Sequence, residues 1–137
     1  MNDNARTLAE LYRLWGESRG TSVDAWVDAM HPEIEMGSVA AGGPGLEFTR
    51  TLKGLDEART YFTGLDSGLE MVSFDVKEFV AEGDTVVALI EMEWRSKANP
   101  AATVRMHKAD VHRFEGGKIK SFFDYFDTGQ FQQAMSL

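Results

Sequence analysis

The chain contains no cysteine, which rules out disulfides, thiolate nucleophiles and Cys-ligated metals, and suits a reducing compartment. Basic residues are scarce: 14 Lys and Arg stand against 22 Asp and Glu, for a net charge of -8. A field of that sign repels phosphate backbones and anionic head groups, so neither nucleic acid nor a membrane surface is expected as a partner. No apolar stretch approaches the roughly 20 residues that span a bilayer, and no basic start precedes a short apolar run. A soluble, untargeted, cytoplasmic protein is the expectation. With only three prolines and 43% hydrophobic residues, the composition is that of a globular chain. At 137 residues there is room for one core, and a single domain over 1–137 is expected.

Chemical signatures are few. No Gly-x-Ser-x-Gly elbow occurs, and Gly42-Gly43-Pro44-Gly45 lacks the lysine and strand–helix context of a phosphate loop. That run reads as a lid or a plain connection. The three histidines, His31, His107 and His112, show no ligand spacing, and the last two point to opposite faces of one strand. No metal and no cofactor is expected. His31, before Pro32, reads as a cap or packing residue, or alternatively as a ligand or acid.

What the chain does contain is periodicity. Leu8, Leu11, Leu14 and Trp15 recur at helical spacing, predicting a helix from Ala5 to Trp15 that stops near Gly16. Thr21 or Ser22 caps a second, whose stripe is Val23, Trp26, Val27 and Met30, ending at His31-Pro32. Ile34 and Met36 alternate with glutamates in a short strand, and Gly37 to Gly45 reads as a mobile loop. A third helix runs from Gly54 to about Leu65 with Leu55, Ala58, Tyr61, Phe62 and Leu65 inward. The period then drops to two. Four strands are predicted, Leu69 to Ala81, Thr85 to Ser96, Ala102 to Glu115 and Lys118 to Asp127, joined by hairpin signals at Gly83 and Gly116-Gly117. Helices first and hairpins afterwards mean an α+β domain: three N-terminal helices over a curved antiparallel sheet whose concave face holds a pocket. Large apolar groups on the sheet's outer face predict a homodimer through that face.

Phe114-Glu115-Gly116-Gly117-Lys118-Ile119 followed by Phe123-Asp124-Tyr125-Phe126-Asp127 resembles the closing hairpin of NTF2-like (SnoaL-like, ketosteroid-isomerase-like) proteins. Met30-His31-Pro32-Glu33, Lys53-Gly54-Leu55-Asp56 and Ala81-Glu82-Gly83-Asp84-Thr85-Val86 match the same family in order, so the likeness covers nearly the whole chain. It implies the NTF2-like cone fold and a small hydrophobic ligand. Isomerases, cyclases, dehydratases, epoxide hydrolases and non-enzymatic binders share that fold, so function must come from the site. The last strand is also similar to that of limonene-epoxide hydrolases, which implies a general base at Asp124. That enzyme's helper residues, a Tyr and an Asn on the first strand and an Arg-Asp pair on a middle one, align near Met36, Ser38, Ile90 and Met92, which do not carry those groups.

Alternation puts Lys120, Phe122, Asp124 and Phe126 on one face of the last strand. If that face is concave, the Asp124 carboxyl lies between phenyl rings, and removal of water raises its pKa toward the range of a neutral-pH acid or base. The plain alternative is a polar residue at an exposed strand end, or a carboxylate neutralised by a cation. On the preceding strand Met106, Lys108, Asp110 and His112 share a face, and opposite Asp124 the last three would form a polar row assisting it. A solvent-facing ion-pair ladder is the other reading of that row. Ile90, Met92 and Trp94 form an apolar stripe that reads as core or pocket wall; Met36, Tyr61, Phe62, Met106, Phe122 and Phe126 complete the expected substrate-binding set. Two functions follow as expectations. One is a cofactor-independent isomerase, cyclase, dehydratase or hydrolase in which Asp124 moves a proton, assisted by Asp110, His112 or Lys108. The other is a non-catalytic protein that binds a hydrophobic ligand or serves as a dimeric interaction module.

Overall fold

The computed structural model describes residues 1–135. Helix α1 (Asp3–Glu17) begins where the Asn2 side chain accepts a hydrogen bond from the Ala5 amide at 2.8 Å, with Asp3 in the first turn. Its buried face comprises Ala5, Leu8, Leu11, Tyr12 and Trp15. A short α2 (Val23–Asp28) buries Trp26 and Val27. β1 (Met30–Ser38) follows, then one 3-10 turn (Glu47–Thr49), β2 (Leu52–Lys53) and α3 (Leu55–Gly68). The rest of the sheet is β3 (Leu69–Glu82), β4 (Thr85–Ser96), β5 (Thr103–Glu115) and β6 (Lys118–Phe126), closed by α4 (Thr128–Met135).

The six strands run in the order β2-β1-β6-β5-β4-β3. They form the curved open sheet of an α+β NTF2-like fold, with the core on the inner face. The β5–β6 hairpin is closed by Gly116 and Gly117 at φ 59° and 79°, the pair of positive dihedrals that a two-residue turn of matching twist demands. Among the described residues no helix is long and apolar enough to cross a membrane.

Several expectations need correcting. The described residues form four helices, not three N-terminal ones. Asp127 Oδ1 accepts from the Gln130 amide at 2.9 Å and starts α4, whose Phe131 and Met135, four apart, are buried. Nor is the sheet purely antiparallel, because β1 pairs with β6 in parallel, β2 to β5 intervening between them in the chain. The second helix stops at Asp28, and Met30-His31-Pro32 opens β1 instead. The β1–β6 register is broken between Met30 and Glu35, which is where the missing amide of Pro32 does no harm. The third helix runs past Leu65 and ends at Gly68.

Candidate functional site

Period-two alternation directs Lys108, Asp110 and His112 of β5 to the inner face, where β6 sets Phe126, Asp124 and Phe122 opposite them, residue for residue. Asp110, His112 and Asp124 are at most 2% exposed. Lys108 Nζ sits 3.0 Å from Asp110 Oδ1 and 3.6 Å from Asp124 Oδ2, and 5.9 Å from the centres of both the Phe74 and the Phe122 ring. From α1, Tyr12 Oη donates to Asp110 Oδ2 at 2.6 Å and lies 2.7 Å from His112 Nε2. Ser38 of β1 is the cross-strand neighbour of Asp124 on its other side. Asp124 Oδ1 has no hydrogen-bond partner among the described residues.

Apart from Ser38, these groups line a cavity of about 70 Å³, otherwise walled mainly by aromatic and aliphatic side chains from the helices, the sheet and the 46–49 turn. Burial raises the Asp124 pKa; Lys108 pulls it down, the Asp110 carboxylate adds to the rise, and Ser38 opposes it. Burial pushes His112 down to about 3, helped by the Lys108 charge, so its imidazole is neutral. Lys108 is shifted upward although burial alone would lower it: the Asp110 carboxylate heads the groups that reverse the sign and keep the ammonium charged. Burial raises the Tyr12 and Tyr61 hydroxyls, so both remain protonated donors.

Of the residues singled out in the sequence, Lys108, Asp110, His112 and Asp124 stand together. Met36, Tyr61, Phe62, Met92, Trp94, Phe122 and Phe126 line the cavity. Ile90 and Met106 do not. Both are buried, but Ile90 is registered between Val76 and Lys108, and Met106 against Met92, and these neighbours' surroundings reach the void in their place. The 37–45 segment contributes no wall either; Leu46, Phe48 and Thr49 do. His31 lies away from the cavity, its Nε2 3.1 Å from Glu115.

Sequence reasoning missed Tyr12, Trp26 and Phe74 as site residues. Tyr12 carried a signal. It is four residues from Leu8 and three from Trp15, on the buried face, and a phenol facing a core needs a polar partner there.

Comparison with known proteins agrees with this architecture. An NTF2-like protein of unknown function from Burkholderia pseudomallei K96243 superposes with a TM-score of 0.87 at 22% identity, over 100% of both chains. TerC, co-crystallized with polyporic acid, gives 0.81 at 19% identity over 99% of this chain and 100% of its own. A hypothetical protein of ketosteroid isomerase-like fold from Catenulispora acidiphila DSM 44928, in complex with trimethylamine, gives 0.75 at 17% identity over 93% of each. No curated protein of significantly similar sequence was found. At these identities the likeness speaks to fold alone, but residues 8–122 match the SnoaL-like domain as a sequence family, and the chain belongs to that family.

Proposed function

We propose that the chain is a cofactor-independent enzyme that moves a proton on a small apolar molecule, with Asp124 as general acid and base. One observation carries this reading: Asp110 and Asp124 face each other across the β5–β6 pair with a single ammonium, Lys108, between them. Two carboxylates and one cation would leave a net negative charge in a chamber with mostly apolar walls, and one bound proton cancels it. The proton belongs on Asp124, which burial raises, whereas Asp110 already accepts from Tyr12 and stands closer to the Lys108 ammonium. A neutral carboxyl beside a fixed ammonium is an acid ready to donate; once it has donated, the same group is a base. Isomerisation, cyclisation, dehydration and hydrolysis all draw on that pair of states.

The test is exchange of solvent deuterium into the α-carbon of cyclohexanone, together with a carboxyl-carbon NMR titration of Asp124. Catalysed exchange that falls by about 10²–10⁴ in Asp124→Asn, with ligand affinity kept, supports the proposal. An Asp124 that titrates in the ordinary carboxylate range, or exchange that survives in Asp124→Asn, overturns it and leaves a non-catalytic ligand-binding protein.

The outer face of the sheet supports a homodimer as part of the same reading. Phe123 and Tyr125 are 37% and 52% exposed there with ring centres 4.9 Å apart, and Leu89 joins them across Ala109.

A further inference from the structure

Two buried polar atoms of the chamber have no role in the Asp124 reading. Trp26 Nε1 and His112 Nδ1 each lack a hydrogen-bond partner among the described residues, and both residues line the cavity. Leaving such groups buried and unpaired is unfavourable, so both are placed for something that arrives. Their rings lie parallel, 9° apart in plane with centres 6.0 Å apart.

What arrives is fixed by which of the two donates. An indole nitrogen only donates. The imidazole is settled through Tyr12: its one hydroxyl proton goes to Asp110 Oδ2, so its oxygen must accept from His112 Nε2. The neutral ring then has its proton on Nε2, and Nδ1 is a bare acceptor. A donor and an acceptor on two stacked rings of one cavity match a group that accepts and donates at one atom.

We propose that Trp26 and His112 form a hydroxyl-binding subsite, in which the oxygen of a hydroxylated apolar ligand accepts from the indole N–H and its proton is donated to His112 Nδ1. Carbonyls and ethers satisfy only the indole, and ammonium groups only the imidazole. Tyr12 is a positioning residue here: it touches no ligand, and by fixing the imidazole tautomer it makes the acceptor. The inference rests on the chamber being a ligand site and gives Asp124 no part in recognising the hydroxyl.

The experiment uses the full chain, ¹⁵N-labelled at histidine, with phenol, its methyl ether anisole and the isosteric hydrocarbon toluene as probes. The free protein should show His112 with Nδ1 unprotonated, and phenol should shift that nitrogen while anisole and toluene do not. Trp26→Phe, which keeps a ring in place, should reduce the preference for phenol over toluene at least tenfold. Tyr12→Phe should convert His112 to a mixture of tautomers, a change that loss of packing alone does not produce. A resting tautomer with the proton on Nδ1, or the absence of a phenol-specific shift, overturns the subsite. The two proposals fail separately. In Asp124→Asn the phenol shift should persist while exchange into cyclohexanone is lost; exchange in the native protein without a phenol shift removes only the subsite.

Discussion

Asp110 and Asp124 are direct cross-strand partners on the inner face of the sheet, and Lys108 reaches both, at 3.0 Å and 3.6 Å. Like charges at that spacing repel, and a single cation balances one of them. The arrangement is costly to build and costly to disturb from one side only.

Lys108→Met should therefore destabilise the fold by about 3–5 kcal/mol, because it strands the buried Asp110 carboxylate without its counter-ion. The triple change Lys108→Met, Asp110→Asn, Asp124→Asn should recover much of that loss, since no charge is then left in the chamber. Denaturant unfolding of the two variants side by side is the check. Equal destabilisation of both would mean that the charges are not what the lysine compensates.

Asp124→Asn should raise stability at neutral pH by about 0.5–2 kcal/mol even as it abolishes proton transfer. The unfolded carboxyl ionises above about 3.9, whereas the folded one holds its proton to higher pH, so native stability falls as pH rises through that window. Asparagine has nothing to ionise and removes the slope. A variant curve parallel to the native one between pH 4 and 7 would contradict this sign.

His112 works in the opposite direction. Its folded value lies near 3, below that of the unfolded chain, so below about pH 6.5 the unfolded state takes up a proton that the native state refuses. Stability contributed by this residue is complete above pH 6.5 and drains away toward pH 3, by up to about 1.4 kcal/mol per pH unit. Unfolding free energies of the native protein and of His112→Gln across that range should diverge with this slope.

Gly64 sits within α3, where alanine would ordinarily gain about 1 kcal/mol. Here a methyl group would land on Phe48 Cβ, an atom next to the backbone that cannot swing aside. Overpacking of that kind costs about 1–3 kcal/mol and outweighs the helix gain, so Gly64→Ala should lower the melting temperature. It should also change affinity for apolar probes, because Phe48 lines the cavity.

If a second copy covers the outer face, light scattering should report a dimer, and Phe123→Asp with Tyr125→Lys should yield a folded monomer. A native protein that is monomeric at micromolar concentration would dispose of the interface.

The inner polar row was legible in the sequence because a strand's period of two is rigid: once Asp124 and Asp110 are put on facing positions, Lys108 and His112 follow. The first three helices were legible as stripes and the hairpins from their glycines, but α4, whose buried face is only Phe131 and Met135, was not. What alternation does not carry is depth. Ile90 and Met106 share a face with lining residues and still stop short of the void, because that depends on how far their neighbours reach. Long-range approach is equally invisible. Nothing local to Tyr12 says that 98 residues on lies the carboxylate it will meet. The parallel pairing of β1 with β6 was hidden for the same reason, since the pattern of Ile34 and Met36 reads alike beside a partner of either direction.

That pairing bears on how the molecule comes into being. β1, finished by residue 38, pairs on one side with the two-residue β2 nearby in the chain, but finds its long neighbour in β6, the last of the described strands. During synthesis the early helices and first strand must wait, with apolar surface uncovered, until residue 126 has cleared the ribosome. The β1–β6 pairing therefore ties off a loop of about eighty residues, and contacts of such separation in sequence weigh against fast folding.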